Sequence, residues 1–136
     1  MRVTIDTNIV LDYALEREPF ARTAIECLER LPSQKARMYL SASVVSDIYY
    51  ISRQNLHNAA AARKIIEALL AAFHIIPVDG ADCQNALTVG VNDYEDALVA
   101  VCAKKVKADY IITRNTKHFA ASPVPAVTPE ELSEQL

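Results

Sequence analysis

The chain has 136 residues, a length that suits one ordinary domain with its own hydrophobic core, and we expect residues 1–136 to form a single domain. Its 14 basic and 17 acidic side chains give a net charge of −3, so bulk charge provides no attraction for nucleic acid. The only glycines are Gly80 and Gly90, which excludes a glycine-rich phosphate loop. Nucleic acid or phosphate binding would therefore require a local patch of positive charge or a bound metal.

The cysteines and the amino terminus indicate a cytoplasmic protein. Cys27, Cys83 and Cys102 form no C-x-x-C pair, and we expect all three to be buried thiols in a reducing compartment. Charged residues at Arg2 and Asp6, with no apolar segment after them, exclude a secretory leader pattern. No apolar run approaches the roughly 18 residues of a membrane span, so we expect no membrane association.

The spacing of apolar residues predicts strands and helices that alternate along the chain. The first half is predicted to contain a strand over 2–5, helices over 7–17 and 20–31, a strand over 38–41, and helices from 43 onward and from 58 to 73. The second half is predicted to contain a strand over 75–78, helices over 81–89 and 94–107, strands over 110–113 and 126–127, and a short helix after the capping box at 128–131. Strands joined by helical crossovers imply an α/β fold whose parallel sheet is covered on both faces.

In such sheets the functional site lies beyond the carboxyl ends of the strands. Asp6 follows the first predicted strand, Asp79 follows the third, and Arg114 and Asn115 follow the fourth. Asp109 precedes the fourth strand and is expected at the opposite end of the sheet.

Four acidic residues are candidate metal ligands, and each also has an ordinary structural explanation. Asp6 ends an apolar strand, where a carboxylate needs a cation, or it caps the next helix by accepting from the amide of Asn8 or Ile9. Asp47 lies in an apolar helical stretch, where its alternative is a position facing solvent.

Asp93 and Asp96 are three residues apart at a helix start, a spacing that puts both on one helix face while Glu95 points elsewhere. Their alternative role is capping and interaction with the helix dipole. If these two converge with Asp6 and Asp47, the four negative charges are matched by two divalent cations. All-oxygen ligands favour Mg²⁺ or Mn²⁺ over zinc, and a metal pair about 4 Å apart can activate water and stabilise the leaving oxygen of a phosphodiester.

Three segments together resemble the motifs of PIN domains. VTIDTNIVLD at 3–12 resembles their opening motif, DYEDALVA at 93–100 their central acidic motif, and IITRNTKHF at 111–119 their late strand and loop. The resemblance implies a three-layer α/β/α sandwich with a central, mostly parallel sheet and a metal-dependent ribonuclease site. Many small PIN domains of bacteria and archaea are VapC-type toxins paired with an antitoxin protein.

The resemblance also implies a ligand set for one or two Mg²⁺ or Mn²⁺ ions. Asp6, Asp47 and Asp96 match the first three metal-binding acids of the family, the second of which is usually Glu. Asp93 matches an extra acid of the D-x-x-D subgroup, and Asn115 stands where the family commonly has Asp. These carboxylates would support hydrolysis of RNA phosphodiester bonds.

Other polar residues of the motifs have supporting roles. Three are expected to orient carboxylates or water, or to act as cap and turn residues: Asn8, Thr113 and Asn115. Arg114 and Lys117 can hold RNA phosphate, or they lie in a solvated loop. Asp12 lies six residues from Asp6, so we expect a surface or structural role for it.

Two other functions fit parts of the sequence. One is a receiver-like or phosphatase-like domain in which Asp79 would be the phosphorylated residue. The other is a catalytically weak or inactive PIN-like module that binds RNA or a protein partner. The apolar residues of 49–51 and of the helix ending at 73 exceed what one core needs, which predicts a homodimer contact or an antitoxin groove.

Overall fold

A computed structural model describes all 136 residues, Met1–Leu136. It contains five strands: β1 (Arg2–Ile5), β2 (Arg37–Ser41), β3 (His74–Ile76), β4 (Tyr110–Ile112) and β5 (Ala126–Val127). They form one sheet in the order β3-β2-β1-β4-β5, and every neighbouring pair is parallel. The predicted α/β fold with a parallel central sheet is confirmed.

Seven helices flank this sheet and complete a three-layer α/β/α arrangement. They are α1 (Thr7–Ala14), α2 (Ala21–Arg30), α3 (Ala42–Leu56), α4 (Ala59–Ala72), α5 (Gly80–Ala86), α6 (Tyr94–Lys105) and α7 (Pro129–Ser133). Single 3₁₀ turns lie at Pro32–Gln34 and Thr116–Phe119. The strands and helices predicted from the sequence are all present, with ends that differ by at most three residues.

The largest differences have local causes. Helix α1 ends at Ala14 rather than 17, because Glu16 adopts a left-handed backbone conformation (φ 50°) that stops the helix. Helix α5 begins at Gly80, since Asp79 forms a reciprocal capping box with Asp82, and it ends at Ala86 rather than at 89.

The core lies on both sides of the two central strands. Val3 and Ile5 of β1 and Ile111 and Ile112 of β4 are buried, as expected for parallel strands covered on both faces. Helix α6 packs against β1, β2 and β4, and this contact brings its amino-terminal turn towards the ends of those strands. The fold thereby gathers the carboxyl ends of β1 and β4 and the start of α6 in one region.

Two expectations about the surface can be compared with the structure. Cys27 and Cys102 are buried, but the expectation of a buried thiol was wrong for Cys83, which is exposed on the short helix α5. None of the helices combines the length and the apolar character needed to cross a lipid bilayer.

Candidate active site

A cleft of about 480 Å³ opens at the carboxyl ends of the central strands. Most of the residues that line it are polar or charged. The lining consists of Asp6, Thr7, Asn8, Asp47, Tyr50, Ile51, Asp93, Glu95, Asp96, Asn115 and His118. The structure therefore brings together all four carboxylates that the sequence singled out, although they come from three separate parts of the chain. Asp79 does not line this cleft, because its carboxylate is occupied in the cap of α5.

Asp6 lies at the bottom of the cleft and is only 7% exposed. Its backbone N–H donates to the carbonyl of Ile112 (2.9 Å), so the end of β1 is fixed against β4. Its carboxylate caps α1 by accepting from the amide of Thr7 (2.9 Å), not from Asn8 or Ile9 as predicted. Capping and cleft lining are therefore combined in one carboxylate.

The second oxygen of Asp6 is bound by the chain segment that follows β4. The hydroxyl of Thr113 donates to Asp6 Oδ2 (2.8 Å), and the same hydroxyl accepts from the backbone N–H of Asn115 (3.0 Å). Burial nevertheless raises the pKa of Asp6, against the opposing effects of these donors and of the positive charges of Arg114 and His118. The Asp6 carboxylate is therefore held in one orientation, but its negative charge is not fully compensated by the protein groups around it.

Asp93 and Asp96 both line the cleft and also form a cap at the start of α6. Asp93 has extended backbone geometry, and its Oδ1 accepts from the amide of Asp96 (2.9 Å). Burial, followed by the negative charges of Asp6 and Asp93, raises the pKa of Asp96 to about 6. His118 lies beside it, with Nδ1 3.6 Å from Asp96 Oδ2.

Glu95 is a cleft residue that the sequence interpretation missed. The expectation that it points elsewhere was wrong, because Glu95 lines the cleft together with Asp96. Burial, followed by the charge of the neighbouring Asp47 carboxylate, raises the pKa of Glu95. Asp47 is half-buried on α3 and faces the cleft, not open solvent. The position of Glu95 next to Asp96, at the helix end nearest the site, was the available signal.

These carboxylates fit a hard divalent cation through the chemistry of their donors. Burial raises the pKa values of Asp6, Glu95 and Asp96, so their negative charges are not fully compensated by protein groups. No group of three or more His, Cys, Asp or Glu side chains converges closely enough to form a metal cage. Mg²⁺ keeps several waters and is usually bound through one or two carboxylates, so such a cage is not required.

The remaining candidate residues differ in whether they line the cleft. Asn8 and Asn115 line the cleft, whereas Arg114 and Lys117 do not. The guanidinium of Arg114 pairs with Asp12 (Nε to Oδ2, 2.9 Å), and Lys117 is exposed in the 3₁₀ turn after β4. Asp12 was expected to have a surface or a structural role. The surface role was wrong, since its side chain is fully buried, and its ion pair with Arg114 is structural.

Known proteins are similar to this chain in sequence family and in fold. The PIN domain family model matches residues 2–117. No curated protein sequence matches the chain. Among solved structures, VapBC2 from Rickettsia felis, bound to a DNA fragment from their promoter, is similar with a TM-score of 0.73 and 18% identity, covering 94% of this chain and 98% of that one.

Two further solved structures share this fold. A toxin-antitoxin complex from Klebsiella pneumoniae has a TM-score of 0.71 and 25% identity over 93% of this chain and 97% of that one. FitAcB from Neisseria gonorrhoeae has a TM-score of 0.71 and 22% identity over 94% and 98%. The three-layer α/β/α fold and the resemblance found in the sequence are thus confirmed. With a match that spans nearly all of its length, the chain belongs to the PIN domain family.

Proposed function

We propose that the chain is a cytoplasmic ribonuclease that depends on Mg²⁺ or Mn²⁺ and hydrolyses RNA phosphodiester bonds in the acidic cleft. The observation that carries this proposal is the gathering of Asp6, Asp47, Asp93 and Asp96 at the carboxyl ends of the sheet, joined by Glu95. The raised pKa values of Asp6, Glu95 and Asp96 in this cleft favour a functional role over a structural one.

One or two ions would be held by carboxylates from the two sides of the cleft. Asp6 and Asp96 are the more buried candidates, while Asp47 of α3 lies beside Glu95 of α6. Asp93 adds charge from the cap of α6. A bound Mg²⁺ or Mn²⁺ would supply positive charge at the scissile phosphate and lower the pKa of an attacking water.

The protein's own polar groups would orient ligands and substrate. Thr113 fixes one carboxylate oxygen of Asp6, and Asn8 and Asn115 present amide groups that can hold water or a ligand from the cleft wall. Lys117 and Arg114 are the cations beside the cleft entrance, where they would attract the RNA backbone. The exposed ammonium of Lys117 is free for a direct phosphate contact, whereas Arg114 is already paired.

A toxin role within a toxin-antitoxin pair is the biological context we propose. The structures similar to this chain include toxin-antitoxin complexes, and an apolar groove between α3 and α4 is open to a protein partner. The groove includes Tyr50 (60% exposed) and Leu70 (52% exposed), and Tyr50 also lines the acidic cleft. An antitoxin or a second copy of the chain bound there would lie at the entrance to the site.

The alternative is a PIN-fold module that binds RNA or protein without cutting. It is favoured by Asn115, which contributes no charge at a position where the family commonly has Asp. The two functions differ in one property, because only the nuclease requires the charge of Asp6.

RNA cleavage by the purified protein tests the proposal. A mixed RNA substrate is incubated with Mg²⁺, with Mn²⁺ or with EDTA, beside the variants Asp6→Asn and Asp96→Asn. We expect metal-dependent cutting that both substitutions abolish, whereas the matched variant Asp109→Asn, at the opposite end of the sheet, cuts normally. Cutting that persists in EDTA or in Asp6→Asn protein would refute the proposed chemistry.

Expression in bacteria tests the toxin role separately. The chain expressed alone is expected to arrest growth, and Asp6→Asn is expected to restore it. Size-exclusion chromatography of the purified protein tests self-association, since a monodisperse monomer would contradict a stable homodimer. Normal growth with active wild-type protein in the cells would contradict the toxin role while leaving the nuclease intact.

A further inference from the structure

A second charged cluster lies beside the cleft, and of its members only Arg114 has a part in the function proposed above. It consists of Asp12 on α1, Arg17 just beyond the end of α1 and Arg114 just beyond β4, and we call it the Asp12 cluster. The Asp12 side chain is 0% exposed, while those of Arg17 and Arg114 are 29% and 26% exposed. A buried carboxylate is costly unless it is paired and hydrogen-bonded. The two arginine partners of Asp12 therefore offset the cost of burying its charge.

Both carboxylate oxygens of Asp12 are in contact with a guanidinium. Arg17 Nη2 lies 2.9 Å and Arg17 Nε 3.0 Å from Oδ1, while Arg114 Nε lies 2.9 Å from Oδ2. The Arg114 guanidinium also stacks on the ring of Phe20, with its central carbon 3.8 Å from the ring centroid. The ion pair with Asp12 and the stacking on Phe20 together restrain Arg114, although its Nε and Asp12 Oδ2 lack hydrogen-bond geometry.

Each arginine either contacts a residue of the cleft or is adjacent to one in the sequence. Arg17 Nη2 donates to both the backbone oxygen and the side-chain oxygen of Asn8, at 3.2 Å each. Arg114 lies between Thr113, whose hydroxyl holds the innermost carboxylate, and Asn115, which lines the cleft. A single buried carboxylate therefore connects the start of α1 with the segment after β4, which is 102 residues away.

We propose that Asp12 is a positioning residue for the metal centre, holding Arg17 and Arg114 so that Asn8 and the 113–115 segment keep their places around the cation. This inference rests on the proposed function and deepens it. Without the charge of Asp12, two guanidinium groups next to an acidic cleft lose their partner. The charge of Arg114 already acts on the Asp6 carboxylate, so an Arg114 released from Asp12 would compete with the metal ion for it.

Mn²⁺ binding to the metal-free protein tests the proposal without RNA and without catalysis. The binding constant is measured by isothermal titration calorimetry, and folding is monitored by thermal denaturation. Asp12→Asn preserves the size of the side chain and removes its charge. We expect Mn²⁺ binding to weaken by about tenfold or more, since loss of a group that orients metal ligands typically reduces affinity by about 10- to 100-fold.

Asp82→Asn is the matched control, because Asp82 is another buried carboxylate (5% exposed) with a cationic partner, Lys105, and does not line the cleft. This control is expected to lower the melting temperature and to leave the Mn²⁺ affinity of the folded protein unchanged. Equal affinities in wild type and Asp12→Asn, or equal losses in the two variants, would overturn the proposal.

A milder substitution covers the case in which Asp12→Asn does not fold. Arg114→Lys keeps a positive charge near Asp12 but loses the planar group that contacts both the carboxylate and Phe20. A several-fold weaker Mn²⁺ affinity in folded Arg114→Lys protein supports the positioning role, and an unchanged affinity overturns it. Wild-type protein that binds no Mn²⁺, or whose binding survives Asp6→Asn, overturns the metal centre as well, whereas binding lost in Asp6→Asn but intact in Asp12→Asn overturns only the positioning role.

Discussion

Replacing a cleft carboxylate by its amide is expected to stabilise the metal-free protein while removing its activity. Asp96 is the best position, because burial and the charges of Asp6 and Asp93 raise its pKa from 3.8 to about 6. A carboxyl with a higher pKa in the folded than in the unfolded chain binds its proton more tightly when folded. The protein without metal therefore loses stability as the pH rises from about 4 to about 6, and Asp96→Asn removes that loss.

The size of the effect follows from the pKa shift. A change from 3.8 to about 6 corresponds to about 3 kcal/mol, at about 1.4 kcal/mol per pKa unit. Because the carboxyl is partly open to water, which screens its charge, we expect a gain of about 1 kcal/mol at pH 7.5. Unfolding entropies of about 2.1 cal/mol/K per residue convert this gain into a rise of about 3–4 °C in melting temperature for a chain of 136 residues.

Thermal denaturation in EDTA at pH 4 and pH 7.5 provides the assay. Asp96→Asn is expected to melt at a higher temperature than the wild type at pH 7.5. The difference is expected to shrink at pH 4, where the Asp96 carboxyl of the folded wild type is largely protonated and therefore uncharged, like the amide of the variant. Saturating Mn²⁺ is expected to reverse the order at pH 7.5, because only the wild type binds the ion well. A variant that melts lower than the wild type in EDTA at pH 7.5 would refute the argument that this carboxylate is undercompensated.

Three further predictions concern single side chains. Thr113→Val, which removes the donor to Asp6, is expected to destabilise the fold by about 1.5–3 kcal/mol and to weaken Mn²⁺ binding, measured by denaturant unfolding and calorimetry. Asp82→Asn is expected to lower the melting temperature at pH 7, and to lower it progressively less as the pH falls below about 4. The hydrogen bond from Lys105 lowers the pKa of Asp82, so its stabilisation is present above about pH 4 and is lost as the pH falls through the lower folded value. Glu95→Gln is expected to weaken Mn²⁺ binding and to raise the melting temperature in EDTA; unchanged binding would remove Glu95 from the metal centre.

The positions of the cleft acids could be predicted because local rules determine them. Asp6 follows an apolar strand, and Asn115 follows the end of another, so the rule for parallel sheets places both at one edge. Asp93 is a helix cap in the structure, and cap residues can be identified from the local sequence. Asp47 needed the resemblance to PIN domains, since nothing in its helical stretch indicates which face meets the cleft.

Features that depend on distant contacts could not be predicted in this way. The burial of Asp12 arises because Arg114, 102 residues further along the chain, reaches it from the end of β4. Glu95 faces the cleft because the fold places the start of α6 near Asp47 and Asp6, which come from distant parts of the chain. Exposure of Cys83 follows from the position of α5 at the surface, which periodicity over seven residues does not determine.

The location of bound metal tests the central claim most directly. Crystals soaked in Mn²⁺ are measured by anomalous scattering, for the wild type and for Asp6→Asn. We expect Mn²⁺ between the carboxylates of Asp6 and Asp96 in the wild type, at concentrations that support RNA cleavage, and no Mn²⁺ there in the variant. An empty cleft under those conditions, or Mn²⁺ bound only elsewhere on the surface, would contradict the assignment of this cleft as the metal centre of a ribonuclease.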